Sequence, residues 1–284
     1  VRALLAPTAL AQAPVFPVSA ITGEGVEALR QHLLACAAAC GSASPHDSAR
    51  AFRMPADRVF TLTGVGTVVT GSVTSGVAPV GAELCIAPHG TGARLRGVHA
   101  QNQPASEART GQRCALALAG VAKEDVHRGD WVCAPSIALA TTRIDVQCQL
   151  WPDEPKALRS GTPVHVHLGT SDVTGSIVLL DSDTLAPGAT ALAQLVLHGT
   201  VAAWHGDRGV LRDASATRTL AGVRVLDPFA PQRYRKTAER LAQLAAQALP
   251  DRATRVAALL AHAPLGLDLA HTARAEALPG PGDL

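Results

Sequence analysis

The chain has 284 residues, enough for one to three domains, and 47% of them are hydrophobic, which is ordinary for globular protein and excludes a wholly disordered chain. A net charge of +2 excludes a strong long-range field, so any nucleic-acid contact has to come from local patches. Aromatics at 3% argue against a single-stranded nucleic-acid platform built on base stacking.

In chain order, residues 1–41 read as the end of an α/β domain. Val1 to Ala13 is a poor match to a signal peptide, because Pro7 interrupts its apolar run. Val15–Val18 has the composition of a short buried strand. The turn Ser19-Ala20-Ile21-Thr22-Gly23-Glu24-Gly25 follows it. A helix is predicted from Val26 to Cys40, with Val26, Leu29, Leu33, Ala37 and Cys40 on one stripe and Gly41 as its C-cap. Residues 42–50, rich in Ser and Pro, read as a linker.

Residues 51–135 read as all-β. The stretch Asp57 to Val73, DRVFTLTGVGTVVTGSV, is dense in β-branched residues, which lose χ1 freedom in a helix and fit a pleated surface. It is read as a strand, a glycine-rich turn and a second strand. Gly64-Val65-Gly66 is no phosphate loop on this reading. Such a loop needs a helix directly behind it, and Thr67-Val68-Val69-Thr70 is poor helix material. Further strands are expected at Phe52–Met54, Glu83–Ala87, Ala93–His99, Arg113–Leu118 and Trp131–Ala134. Turn signals at this spacing suit a small closed barrel.

Residues 136–228 read as a second β-barrel, with strands at Arg143–Leu150, Pro163–Leu168, Gly175–Leu180 and Thr190–Leu197. His165 and His167 share one strand face. A pair at that spacing can bind a metal. The sequence offers no obvious third ligand, so no metal site is assigned, and surface or hydrogen-bonded histidines are the alternative. From 229 to 284 the pattern turns helical, with helices expected at Thr237–Leu249 and Arg252–Ala263. Arg233, Arg235, Lys236 and Arg240 form a basic run that suits a solvated linker or a contact with RNA phosphate. The six cysteines, Cys36, Cys40, Cys85, Cys114, Cys133 and Cys148, lack zinc-ribbon spacing and read as small buried thiols in a reducing cytoplasm. No apolar run approaches the ~20 residues of a membrane span.

Three features converge on a family. Ser19-Ala20, with TGEGV and a helix behind it, resembles the last guanine-recognition turn of a GTPase domain. GVGTVVTG resembles the second domain of translational GTPases, and another barrel follows it, as in elongation factor Tu. Within that superfamily PVSAITGEGVEALRQHL, DRVFTLTGVGTVVTG, HAQNQP with GQR after it, HRGDW, HVHLGT and LRDASATRTLAGVRVLDP resemble the bacterial selenocysteine-specific elongation factor. The helices after Pro228 suit that family too, which carries winged-helix modules after its third domain. The chain has neither GxxxxGK[ST] nor Asn-Lys-x-Asp, so it reads as a piece that starts inside the GTPase domain and stops early in the first winged helix.

The resemblance implies a mainly β fold of two consecutive barrels, with the last strand and helix of a GTPase domain before them. It implies delivery of selenocysteinyl-tRNA to ribosomes at recoded UGA codons. GTP and magnesium would serve the full-length parent, which would be a cytoplasmic monomer without a membrane partner. The parent's winged helices would hold a messenger RNA hairpin. Ser19 and Ala20 would contact the guanine edge, and Asp57, Arg58 and Arg113 would receive the selenocysteinyl group. No catalytic residue is assigned, and without a P-loop this chain is expected to be inactive alone. Three alternatives stand beside this one: an elongation factor Tu-like protein, the GTPase subunit of a metabolic enzyme, and a barrel binding module with no nucleotide partner. The helical extension and the Asp57-Arg58 pair weigh against the first two, and the guanine turn against the third.

Overall fold

A computed structural model describes residues 1–6, 8–40 and 49–284, with the side chain of Cys40 outside that set. The expected Gly41 cap and most of the expected linker therefore lie outside the described residues. The chain divides into two compact units, residues 1–45 and 46–284.

In the first unit, α1 (Arg2–Leu5) is a single turn and α2 (Val26–Cys40) runs over the expected residues. The strand expected at Val15–Val18 does not form. Val15 and Val18 are 38% and 50% exposed, and no described segment of this unit pairs with them as a strand. An isolated extended segment leaves its amides and carbonyls without a ladder, so apolar composition alone does not make a strand. Val26 and Leu33 of the helical stripe are likewise exposed.

The second unit opens with a barrel of β1 (Arg53–Pro55), β2 (Arg58–Leu62), β3 (Gly66–Ser72), β5 (Glu83–Ala87), β6 (Thr91–Ala100), β9 (Arg113–Ala119) and β10 (Trp131–Cys133). Short strands β4 (Val77–Pro79), β7 (Gln103–Ala105) and β8 (Glu107–Arg109) fringe it. The strand order is β1-β10-β5-β6-β9-β3-β2. The sheet returns on itself where the Arg53 amide donates to the Ser75 carbonyl and Thr74 donates to Arg53. The expected strand–turn–strand is there, as the β2–β3 hairpin with Arg58 opposite Thr70 and Leu62 opposite Gly66. Gly64 and Gly66, at φ +79° and +97°, make its turn. Gly71 serves a close approach instead: a Cβ there would lie 2.1 Å from the Pro55 carbonyl oxygen.

The second barrel closes in the order β11-β16-β14-β13-β17-β18. Its strands are β11 (Thr141–Leu150), β13 (Thr162–Leu168), β14 (Ser171–Leu179), β16 (Thr190–Val201), β17 (Arg208–Arg212) and β18 (Thr219–Asp227), with the small pair β12 (Leu158–Arg159) and β15 (Thr184–Leu185) beside it. Alternation decides which side chains go in: along β13, Val164, Val166 and Leu168 are buried and His165 and His167 face out. Between the barrels lies a third apolar cluster that includes Trp131, Cys133, Ile137, Ala202 and Trp204. Three helices follow, α3 (Ala238–Gln247), α4 (Arg252–Ala261) and α5 (Leu269–Ala275). They are capped by Thr237, Asp251 and Asp268, each accepting the backbone amide of the third helical residue. Leu244 of α3 packs on Leu180 and Leu226 of the second barrel. No helix among the described residues is long and apolar enough to cross a membrane.

Candidate functional site

The β2, β3, β9 and β6 strands present one outer face whose residues follow from register. Arg58 lies opposite Thr70, Thr70 opposite Ala115, and Ala115 opposite His99. One step along, Phe60, Val68, Ala117 and Gly97 form a second row, and on the other side Ser72 lies opposite Arg113. Directly paired residues point to the same face, so Arg58, Arg113 and these two rows share it. The small side chains at 97, 115 and 117 leave a groove of about 460 Å³, which Phe60, Leu62, Val65, His99 and Asn102 also line. Asn102 reaches it from the tight β6–β7 hairpin. There Gln101 and Asn102 sit at φ +53° and +60°, both in the left-handed region that a two-residue type I′ turn requires.

Asp57 stands at the corner where β2 begins. Its amide donates to Thr70, and the Thr70 hydroxyl donates back to Asp57 Oδ1 at 2.5 Å. Its other oxygen accepts from the Arg113 guanidinium. Burial pushes the Asp57 carboxyl up. The hydrogen bonds from Arg113 and Thr70, with the charges of Arg113 and Arg58, outweigh that and hold it below its ordinary value. The same hydrogen bond raises the Arg113 guanidinium. Asp57 thus holds Arg113 and not its sequence neighbour Arg58, which stands exposed on the groove's face. Arg58 and Arg113 share this face beside the groove, and Arg96 lines the groove itself. One carboxylate against these guanidiniums leaves the face net positive, suited to a ligand whose end is anionic. The groove residues escaped sequence reasoning because alternation marks one face of a strand without saying which neighbours flank it.

None of the other sequence candidates belongs to this face. Ser19 closes a turn in the first unit, its carbonyl accepting from Gly23 and its amide donating to Glu24. His165 and His167 both approach Asp172, at 3.2 and 3.8 Å. In the basic run Arg233 and Lys236 are exposed, as a solvated or phosphate-facing run requires, but Arg240 is not open to phosphate. Arg240 is clamped by Asp145 at 2.5 Å and Asp227 at 2.6 Å, while Arg235 donates to Gln194. The thiols divide as well: Cys85, Cys114, Cys133 and Cys148 are buried as expected, whereas Cys36 is exposed beside His32. Its place on an uncovered helix accounts for that.

Comparison with known proteins places this geometry. Residues 141–232 match the family described as selenocysteine-specific elongation factor, beta-barrel domain, and residues 66–133 match elongation factor Tu domain 2. The chain is similar to the selenocysteine-specific elongation factors of Desulfomicrobium baculatum (35% identical over 248 residues) and Escherichia coli K12 (39% over 249). Each alignment covers 87% of this chain and 39% or 38% of the relative, so the chain spans about two fifths of the length of the curated relatives it matches. The crystal structure of a bacterial selenocysteine-specific elongation factor superposes with a TM-score of 0.74 at 25% identity, over 94% of this chain and 42% of that one. Elongation factor SelB from Methanococcus maripaludis, at 24% identity, shares the fold with a TM-score of 0.70, over 81% of this chain and 54% of that one.

Proposed function

Because this chain belongs to the selenocysteine-specific elongation factor family, we propose that its first barrel holds the selenocysteinyl end of a charged tRNA. On this proposal Arg58 and Arg113 receive the amino acid and Asp57 fixes Arg113. The protein carrying these barrels would deliver that tRNA to ribosomes at recoded UGA codons, in a cycle driven by GTP and magnesium on a GTPase domain. Helical modules beyond the second barrel would hold a messenger RNA hairpin, and Ser19 and Ala20 would touch the guanine edge. It would act as a cytoplasmic monomer.

The observation that carries the proposal is the charge balance on this face of the first barrel. Asp57 neutralises one guanidinium, and Arg58 shares the face with no carboxylate within ion-pair distance among the described residues. A selenol is considerably more acidic than a thiol and far more so than a hydroxyl, so selenocysteine is largely an anion at neutral pH. Seryl-tRNA, its biosynthetic precursor, offers a neutral hydroxyl and leaves the arginines poorly compensated. A site built for a charged group rejects its neutral analogue because unpaired polar groups are costly.

The test is a pair of titrations, selenocysteinyl-tRNA and seryl-tRNA, against a protein that joins these barrels to their GTPase domain in the GTP form. Salt is held fixed, because phosphate contacts shift with it. Arg58→Ala and Arg113→Ala should each weaken selenocysteinyl-tRNA binding by roughly 1.5–3 kcal/mol, on the order of tenfold or more, and seryl-tRNA binding far less. Equal losses for both tRNAs would mean that the arginines hold tRNA backbone, and the pocket assignment would fall.

A further inference from the structure

Pairing of β5 with β10 sets Ala87 opposite Trp131. This brings the β5–β6 turn, which carries His89, against the turn His127-Arg128-Gly129-Asp130 that enters β10. His89, His127 and Asp130 thereby offer three donor atoms that all lie within 4.8 Å of one another, the only such cluster of three His, Cys, Asp or Glu donors among the described residues. We propose that these three residues form a binding site for a first-row divalent transition metal ion such as Zn(II).

The carboxylate is set in advance. Asp130 is 6% exposed, and its Oδ2 accepts the His127 amide at 2.7 Å, which fixes the plane of the group. Oδ1 then faces His89 Nε2 at 3.1 Å. Oδ2 faces His127 Nδ1 at 3.8 Å, beyond hydrogen-bond reach. Ligands bound at 2.0–2.1 Å in a tetrahedral site lie roughly 3.3 Å from one another, so the two Asp–His separations bracket what a metal ion asks for. The imidazole side chains, 48% and 67% exposed, can turn without moving backbone and leave the metal's remaining positions open to water. Two imidazoles with one carboxylate suit Zn(II), Ni(II) or Cu(II) and disfavour Mg(II) and Ca(II), which prefer all-oxygen sets. Without metal, the same residues make a hydrogen-bonded turn in which Asp130 caps His127. The two roles differ in what they demand of His127 Nδ1, which contributes nothing to the turn.

The experiment is a Zn(II) titration of the chain against a chromophoric chelator, in a Cys36→Ser, Cys40→Ser background so that no N-terminal thiol competes. One equivalent should bind, and free zinc should raise the melting temperature, because the ion binds the folded state preferentially. His89→Gln and His127→Gln should each weaken binding by at least about tenfold while leaving the melting temperature in chelator unchanged. His165→Gln should bind as the parent does. Co(II) substitution should give the visible absorption of a low-symmetry, low-coordinate site, and His127→Gln should lose it. Absence of saturable binding, or one-equivalent binding that survives both the His89 and His127 substitutions, would overturn the proposal.

Discussion

The guanidinium of Arg53, on the first strand of the first barrel, lies 2.7 Å from the carboxylate of Asp207 in the second barrel. Arg53 is also held between two indoles, 5.3 Å from the Trp131 ring and 5.0 Å from the Trp204 ring, and these rings meet edge to face at 5.1 Å. The other Asp207 oxygen accepts the Trp204 amide. One charged side chain therefore ties both barrels to the apolar cluster between them. This fixes the groove's barrel against the second barrel and the helices docked on it.

Arg53→Ala should cost about 3–5 kcal/mol, because it strands the Asp207 carboxylate in a nearly closed site. Chemical denaturation should show it, with the barrels unfolding in separate steps where the parent unfolds in one. The double variant Arg53→Ala, Asp207→Ala should lose less than the sum of the two single losses, since the residues act as a pair.

Asp57→Asn should release Arg113. The Asp57 carboxyl is held below its ordinary value, so its stabilisation is complete above about pH 4 and is lost as pH falls through the depressed folded value. Stability of the parent minus that of Asp57→Asn, measured across acid pH, should be positive and flat above that point and shrink below it. Arg113 is largely exposed, so the plateau should not exceed about 1 kcal/mol.

Arg240→Ala should undock α3. The clamp joins the helix's first turn to Asp145, which is fully buried on β11, and to Asp227 at the end of β18. Removing the guanidinium leaves two carboxylates facing each other, at a cost of about 3–5 kcal/mol. Limited proteolysis should then cut between residues 228 and 250 before it cuts either barrel.

Two glycines of one hairpin should behave differently. Gly64→Ala meets no atom within 4 Å and carries only the penalty of a positive φ, about 1–2 kcal/mol. Gly71→Ala drives a Cβ into the Pro55 carbonyl and Met54 side chain, so it should exceed 4 kcal/mol by the measure of severe core substitutions, roughly, and yield little folded protein. Urea midpoints of the two variants would check this ordering.

The sequence alone determined what is written in nearest neighbours. Branched residues in alternation foretold the β2–β3 hairpin, and helical spacing foretold α2, α3 and α4. The family motifs singled out Asp57, Arg58 and Arg113 before any geometry was in hand. Partnership was decided by the tertiary structure, because it depends on register and closure between segments far apart. Asp57 holds Arg113 from 56 residues away, although Arg58 is its neighbour in sequence. Arg240 looked like part of a solvated basic run, yet its counter-charge on Asp145 stands 95 residues earlier. His89 and His127 belong to different turns and meet at Asp130 only because β5 pairs with β10. Val15–Val18 shows the converse: apolar composition suffices for a strand only where another strand completes its hydrogen bonds.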